Sequence, residues 1–376
     1  MDMNVYYFLN KPTCKKYSEY IHVSSLLQEI TSRYGISDKT IDKTVYKNEE
    51  FNIKALSLYS TPRRIHEELG LKTKYEKKSA IRLYLKKIAH KSFKVPAVRG
   101  IEAGSILHYF RPYSHKREKV EFSKVLEITT LKEFTNPDFF EKGVDIFHCI
   151  RLVEEADVLI THSNYMAEEL KSKLFADEKK IKVIPRGFVF EQPVGKTEKY
   201  ALFCGRIARY KNLELMISAF HSAAPRNLQL VIAGDATCRS EAQYLEQIKK
   251  LVAELPKGRV KLVGHVPYKK MPDLMSKATF LIEPSFINDF PDTIIEAQSL
   301  GVPVIASDIA AHKSVCEQTV TYFSVLSRSS LEERIKAASE DTKTSYEDIL
   351  KTGRINAQKY SWERIALEYR ALYKSL

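Results

Sequence analysis

The sequence predicts an α/β protein with two doubly wound domains, each built on a parallel sheet that helices cover on both faces. Short apolar runs of strand length alternate with helical patterns along the chain, and this alternation is typical of βαβ units. The chain has 376 residues, which suits two domains better than one. Residues 185–199 contain two prolines and two glycines and interrupt the alternation, which indicates a boundary between the domains.

The element boundaries follow from where the apolar runs begin and end. In the first half we expect strands at residues 5–9, 55–59, 106–110, 125–128, 158–161 and 182–184. In the second half we expect strands at 200–204, 229–233, 260–263, 280–282, 304–306 and 321–323, and helices at 213–222, 241–253, 271–276 and 294–300. The predicted domains span residues 1–190 and 191–359.

Composition excludes several classes of protein. The hydrophobic content of 44% allows a sizeable core, and no apolar run approaches the ~18 residues of a membrane span. The first residues lack the basic and then apolar pattern of an export signal. The five cysteines are scattered and contain no Cys-x-x-Cys pair, which favours a reducing compartment over a disulfide framework or a zinc site. We therefore expect a cytoplasmic protein.

Much of the net charge of +13 lies in one segment. Residues 72–99 contain ten Lys or Arg and a single acid, Glu76. Ile81, Tyr84, Leu85 and Ile88 form an apolar stripe at helical spacing, so the segment predicts a basic amphipathic helix that can lie on an anionic membrane surface. The alternatives are a helix packed on the first domain with a solvated basic face, or a patch that attracts an acidic polysaccharide. No nucleic-acid motif accompanies the charge, so nucleic acid is not an expected partner.

The most informative stretch runs from Glu283 to Ser307. It reads as a strand end, a turn, a helix opened by Pro291, a stop at Gly301 and a second buried strand. This order directs the free N–H groups of a helix N-terminus to the carboxyl edge of a parallel sheet, where phosphates bind. Glu296 lies little more than one turn into that helix and can accept hydroxyl hydrogens. A nucleotide sugar supplies both a diphosphate and a ribose.

This stretch resembles the signature of the retaining glycosyltransferases of family 4, which have the GT-B fold of two Rossmann-like domains facing across a cleft. The second Glu of that signature is Glu296, while Asn288 occupies the first Glu position and Asp289 a Gly position. Residues 183–188 resemble the family's interdomain link, with Arg186 at an Asn position. Residues 360–373 resemble its closing helix, so we expect residues 360–376 to return to the first domain; a helix packed on its own domain is the alternative.

The resemblance implies a donor site in the second domain. Arg206 and Lys211, which follow a predicted strand, would neutralise the leaving diphosphate, and fixed cations of this kind stabilise developing charge. Glu296 would accept from the ribose 2′- and 3′-hydroxyls, and Asn288 or Asp289 would contact the sugar. The remaining donor-binding candidates are Gly205, Val266, Pro291 and Thr293. We also expect Asn212 to cap the helix that follows it and His312 to be structural.

The sequence departs from the family on the acceptor side. The loop after the first strand, residues 9–14, lacks a Gly-Gly pair, so Lys11 is the candidate there for contact with the diphosphate. Where relatives carry a His near the anomeric carbon, our alignment places Thr129 or Thr130. His108 and His162 are candidate replacements, with Glu127 as a further option; a structural role for each His is the alternative.

These residues predict a retaining hexosyltransferase that uses a nucleotide diphosphate sugar and a saccharide or lipid-linked saccharide acceptor in surface glycan synthesis. The sequence has no Asp-x-Asp pair, so we expect neither a metal nor another cofactor. The expected location is the cytoplasm, with peripheral membrane attachment through residues 72–99 as an added option. The competing hypothesis is a non-catalytic protein that binds nucleotide sugars in a degenerate GT-B site.

Overall fold

A computed structural model describes residues 3–9, 45–47, 51–57, 104–109, 121–131, 146–188, 198–340 and 347–376. These residues form two sheets, each in its own doubly wound domain. The loop at residues 9–14, apart from Leu9, and the whole basic segment 72–99 lie outside the described residues. In the part of the chain that is described, no helix is both long and apolar enough to cross a membrane.

The first sheet has the strand order β2-β3-β1-β4-β5-β6-β7. Its strands are parallel except for β2, which pairs antiparallel with β3 and which the sequence analysis did not predict. The strands are β1 (Met3–Leu9), β2 (Val45–Lys47), β3 (Phe51–Ser57), β4 (Ile106–Tyr109), β5 (Ser123–Glu127), β6 (Val158–Thr161) and β7 (Ile181–Val183). The helices described here are α1 (Ile146–Glu155) and α2 (Asn164–Leu174).

The second sheet is wholly parallel, with the order β10-β9-β8-β11-β12-β13. Its strands are β8 (Tyr200–Cys204), β9 (Gln229–Ala233), β10 (Val260–Gly264), β11 (Phe280–Glu283), β12 (Val304–Ser307) and β13 (Thr321–Phe323). Its helices are α3 (Leu213–Ala223), α4 (Arg239–Ala253), α5 (Met271–Ser276), α6 (Asp292–Ser299), α7 (Ala310–Cys316), α8 (Arg328–Glu340) and α9 (Glu347–Gln358).

The strand order of the second sheet creates a crevice. The chain builds outward from β8 through β9 and β10, and then returns to β11 on the other side of β8. The loops after β8 and β11 therefore leave the carboxyl edge in opposite directions, and such a switch point is where α/β proteins bind ligands. The two faces of the sheet belong to separate apolar clusters: Leu202 packs in one and Phe203 in the other. This burial on both faces explains why the strands read as continuous apolar runs.

The last helix, α10 (Trp362–Lys374), packs against the first sheet. The Tyr369 hydroxyl donates to Glu127 Oε2 over 2.7 Å, and the Tyr373 hydroxyl lies 2.6 Å from His108 Nδ1. Near its start, a Cβ on Gly187 would lie only 2.4 Å from the Trp362 ring. Gly187, in the segment after β7, is thus packed against the start of α10.

Some local expectations need correction. Helix α7, which begins at Ala310, was not among the expected helices. Asn212 does precede α3, yet its side chain makes no capping bond and instead donates to the Val325 carbonyl over 3.2 Å. Its backbone is left-handed, with φ 54°, whereas a capping residue is typically extended. Helices α8 and α9 were not predicted.

Candidate functional site

The predicted donor residues meet at the carboxyl edge of the second sheet, beside the crevice between β8 and β11. Gly205 to Asn212 follow β8, and the loop from residue 284 to Pro291 follows β11. The loops after β8 and β9 touch through their backbones, since a Cβ on Gly234 would lie 1.8 Å from the Gly205 carbonyl oxygen. Val266, in the loop after β10, is half-buried against the apolar cluster that contains Leu202.

Lys211 forms a buried ion pair that the sequence analysis missed. Its Nζ lies 3.0 Å from Glu283 Oε1, and the Glu283 side chain is 1% exposed. Thr293 donates to the other carboxylate oxygen over 2.9 Å, and Ser285 donates to the first. Burial raises the pKa of Glu283, but Lys211, His312 and Ser285 together outweigh burial and hold that pKa below its ordinary value. The sequence did carry one signal for this ion pair, which is an acidic residue at the end of the apolar strand Phe280–Glu283.

Arg206 has a similar acidic partner. Its Nη1 lies 3.3 Å from Glu241 Oε1, and its Nη2 donates to the Tyr210 hydroxyl. Glu241 is buried near the start of α4 and also accepts from the Thr237 backbone N–H and hydroxyl over 2.7 and 2.6 Å. The two cations therefore reach the same edge of the sheet, and each is held there by a carboxylate.

Glu296 lies one turn into α6, close to several charged groups. Burial and, to a lesser extent, Asp292 raise its pKa to about 8, against the opposing effects of Arg186 and Tyr268. Asp292 is the first residue of α6, and its Oδ2 accepts a 2.9 Å hydrogen bond from Arg186 Nη1. At neutral pH the Glu296 carboxyl is therefore mostly protonated in the ligand-free protein.

Asn288 is oriented by His312. The His312 Nδ1 lies 2.9 Å from the Ser307 carbonyl oxygen, and because a carbonyl only accepts, Nδ1 carries the hydrogen. Burial lowers the pKa of His312 to about 4, so its ring is neutral and Nε2 is an acceptor. Asn288 Nδ2, 3.2 Å away, donates to Nε2. This hydrogen bond fixes the orientation of the Asn288 amide. His312 itself is buried.

Asp289 contacts the first domain. Its Oδ2 accepts from the Thr130 hydroxyl over 2.7 Å, and its Oδ1 accepts from the Leu131 backbone N–H over 3.0 Å. Both of its oxygens are thus used by the segment after β5, and Thr129 is buried next to this contact. The carboxyl edges of the two sheets meet at this point.

The acceptor-side histidines come together inside the first domain. His108 Nε2 lies 3.0 Å from Glu127 Oε2, and His162 Nε2 lies 3.5 Å from Glu127 Oε1, with all three side chains 0% exposed. His162 Nδ1 lies 3.0 Å from the Ile184 carbonyl oxygen, and the His162 ring packs edge-on against Phe290. In this conformation the three side chains face one another within the protein rather than solvent.

Within the described ranges, no group of three or more His, Cys, Asp or Glu side chains is placed to hold a metal ion.

Comparison with known proteins agrees with this architecture. The family model of the group 1 glycosyl transferases matches residues 188–355. An uncharacterized glycosyltransferase of Methanocaldococcus jannaschii is 26% identical over 240 residues, which cover 58% of this chain and 60% of that protein. The phosphatidylinositol N-acetylglucosaminyltransferase gpi3 subunit of Schizosaccharomyces pombe is 23% identical, over 60% of this chain and 50% of that protein. The chain thus spans about half the length of the curated relatives it matches.

Solved structures share the fold over the whole chain. Anabaena HepE, in complex with UDP and glucose, superposes with a TM-score of 0.72 at 14% identity and full coverage of both chains. The sucrose-phosphate synthase of Thermosynechococcus elongatus superposes with a TM-score of 0.69 at 18% identity, covering 99% of this chain and 98% of that one. The chain therefore has the GT-B fold, and its residues 188–355 match the family model of the group 1 glycosyl transferases.

Proposed function

We propose that the protein is a retaining, metal-independent glycosyltransferase that moves a hexose from a nucleotide diphosphate sugar to a hydroxyl of a saccharide or lipid-linked saccharide in surface glycan synthesis. One observation carries the proposal: Arg206, Lys211 and the start of α6 with Glu296 converge at the crevice between β8 and β11. Cations, a helix N-terminus and a carboxyl group one turn away match a diphosphate joined to a ribose. The family match of residues 188–355 supports the same class.

In the proposed reaction the bond between the donor C1 and the diphosphate oxygen breaks. The acceptor oxygen bonds to C1 on the same face, and its proton passes to the leaving diphosphate. Lys211 and Arg206 would stabilise the charge that develops on that group, because cations fixed in a sheltered crevice need not reorganise during the step. Glu283 and Glu241 would hold the two cations in place.

The sugar contact is assigned to Asn288. Both carboxylate oxygens of Asp289 already accept hydrogen bonds from the first domain, whereas the Asn288 amide is half-buried and oriented by His312. With its nitrogen donating to His312, Asn288 has its carbonyl oxygen left to accept from a sugar hydroxyl. The acceptor would approach from the first domain, and the basic segment 72–99 is the proposed contact with an anionic membrane surface.

The test is turnover with a panel of UDP-, GDP-, dTDP- and ADP-sugars in the presence of EDTA. We expect one donor to release nucleoside diphosphate, with product NMR showing the anomeric configuration of the donor. Glu296→Ala should raise the donor KM by about 10- to 100-fold, the range expected when a hydrogen-bonded ionisable group is lost. The exposed α8 residue Glu333 gives a matched control, and Glu333→Ala should leave KM unchanged. Nucleotide binding without any turnover would support the non-catalytic alternative, and a Glu296→Ala protein with normal KM would overturn the assigned role.

A further inference from the structure

Arg186 belongs to the segment that follows β7, yet its side chain reaches the first residue of α6. Arg186 Nη1 donates to Asp292 Oδ2 over 2.9 Å, although the two residues are 106 positions apart in the sequence. Arg186 is 8% exposed, so this cation is sheltered from solvent. A sheltered Arg–carboxylate hydrogen bond is stronger and geometrically more specific than one between neutral groups.

Asp292 stands four residues before Glu296 on the same helix, and side chains at that spacing lie side by side. Two carboxylates in this position repel each other, and burial disfavours the charged form of Glu296 as well. Among the described residues, the ionisable groups that interact with Glu296 are Asp292 on its own helix, Arg186 from the segment after β7, Tyr268 from the turn Tyr268–Lys270 and Cys204 at the end of β8. Arg186 is the cation of this set.

We propose that Arg186 is a positioning residue of the donor site, which fixes Asp292 and promotes the ionised form of Glu296 that accepts two ribose hydroxyls. The inference rests on the proposed role of Glu296 in donor binding. It assigns control of that residue's charge to a side chain outside the second sheet. Donor affinity then depends on where the connecting segment places its guanidinium.

The direction of the effect follows from the charges. Burial and Asp292 raise the pKa of Glu296 to about 8, and Arg186 counteracts them. Replacing Arg186 by Gln should raise the midpoint of Glu296 ionisation further, while Asp292→Asn should lower it by removing the repulsion. The two variants therefore have opposite expected signs, although both break the same ion pair. A merely structural role for the pair would not produce opposite shifts.

The first measurement needs no donor. Carbon-13 NMR of labelled glutamate carboxyls follows Glu296 from pH 5 to pH 10, with Glu296→Gln identifying its resonance. We expect Arg186→Gln to raise the midpoint of Glu296 ionisation by about one pH unit and Asp292→Asn to lower it. The midpoint in Arg186→Lys should stay close to that of wild type. Arg328, an exposed α8 residue paired with Glu332, supplies the control, and Arg328→Gln should leave the midpoint unchanged. An unchanged midpoint in both Arg186→Gln and Asp292→Asn would overturn the proposal.

The second measurement is the donor KM, or the nucleoside diphosphate Kd, across the same pH range. In wild type, affinity should increase as the pH rises through about 8. Arg186→Gln should lose about tenfold in affinity at pH 7.5 and recover it above pH 9.5, with kcat at saturating donor unchanged. An equal loss at every pH would contradict the inference. Failure of all nucleotides to bind would instead contradict the proposed function, and the NMR midpoints would still decide the role of Arg186.

Discussion

The Thr130 hydroxyl donates a 2.7 Å hydrogen bond to Asp289 Oδ2, which joins residues 159 positions apart. The other Asp289 oxygen accepts from the backbone N–H of Leu131, and Asp289 is only 6% exposed. The Asp289 carboxylate therefore joins the loop after β11 to the segment after β5 through two hydrogen bonds. A Gly at this position, as in the resembling family, would lack this link.

Asp289→Ala should loosen the contact between the domains. Hydrogen bonds to charged groups contribute about 1.5–3 kcal/mol each, so we expect the Leu131 amide to exchange its hydrogen at least about tenfold faster, as local opening becomes easier. Hydrogen-exchange mass spectrometry of the peptide around residues 128–131 measures this. Asp308→Ala is the matched control, because Asp308 accepts from Val325 N–H within the second domain. Equal protection of Leu131 in both variants would refute the link.

Lys211→Met should destabilise the fold because it leaves the Glu283 carboxylate buried without its ammonium. Breaking one side of a buried pair costs about 3–5 kcal/mol, whereas removing both charges is often close to neutral. The double variant Lys211→Met/Glu283→Gln should therefore recover most of the free energy of unfolding but not donor turnover. Denaturant unfolding and the transferase assay test these two expectations.

The control for this pair is Lys249→Met, which removes an exposed lysine paired with Glu246. Exposed pairs contribute about 0–1 kcal/mol, so this change should be small. If the single and double variants at Lys211 were equally unstable, the ion pair would not be the cause.

Glu296→Gln should stabilise the fold relative to wild type, and this difference in stability should grow as the pH rises. The folded protein holds the Glu296 proton up to about pH 8, and the unfolded chain releases it near the ordinary value of 4.5. The folded state thus binds more protons between these values, and the stability that wild type derives from Glu296 falls across this window. Gln does not titrate, so the variant should match wild type near pH 4 and exceed its melting temperature by about 3 °C or more above pH 8.

Thermal unfolding of both proteins at steps from pH 4 to pH 9 gives this difference directly. Glu333→Gln, at an exposed position, should show a difference from wild type that does not change with pH. A pH-independent difference for Glu296→Gln would mean that its carboxyl titrates normally.

Gly187→Ala should disturb the packing of α10 against the segment after β7. The new Cβ would lie 2.4 Å from Trp362 Cδ2, and overpacking of this kind costs about 1–3 kcal/mol. Trp362 is the single tryptophan of the chain, so its fluorescence should shift to longer wavelength as unfolding becomes easier. The double variant Gly187→Ala/Trp362→Leu should lose less stability than the sum of the two single changes. Simple additivity would show that the two groups do not meet.

Much of the fold could be predicted because buried parallel strands have a strong pattern. The predicted limits of the strands at 200–204, 229–233 and 321–323 match the structure. The convergence of Arg206, Lys211 and Glu296 also followed from sequence, since the carboxyl ends of parallel strands share one edge. Helix α7 escaped prediction because its first turn has no side-chain cap, and β2 because Val45–Lys47 is flanked by polar and charged residues and does not stand out as an apolar run.

The partners of the site residues could not be predicted. Glu283 and Lys211 are 72 positions apart, and Asp289 and Thr130 are 159 apart. Such pairs depend on how loops from different strands are placed, and periodicity carries no information about that. The acidic residue at the end of β11 was visible in the sequence, but its cation was not identifiable from spacing.

Arg186, Arg206 and Lys211 each have a carboxylate within 3.3 Å. Charge-balanced pairs of this kind exert little long-range pull on anions, so these three cations would add little to the electrostatic steering of a donor. We expect free phosphate, which cannot contact the whole crevice at once, to bind there more weakly than a ligand that displaces all three carboxylates from their cations.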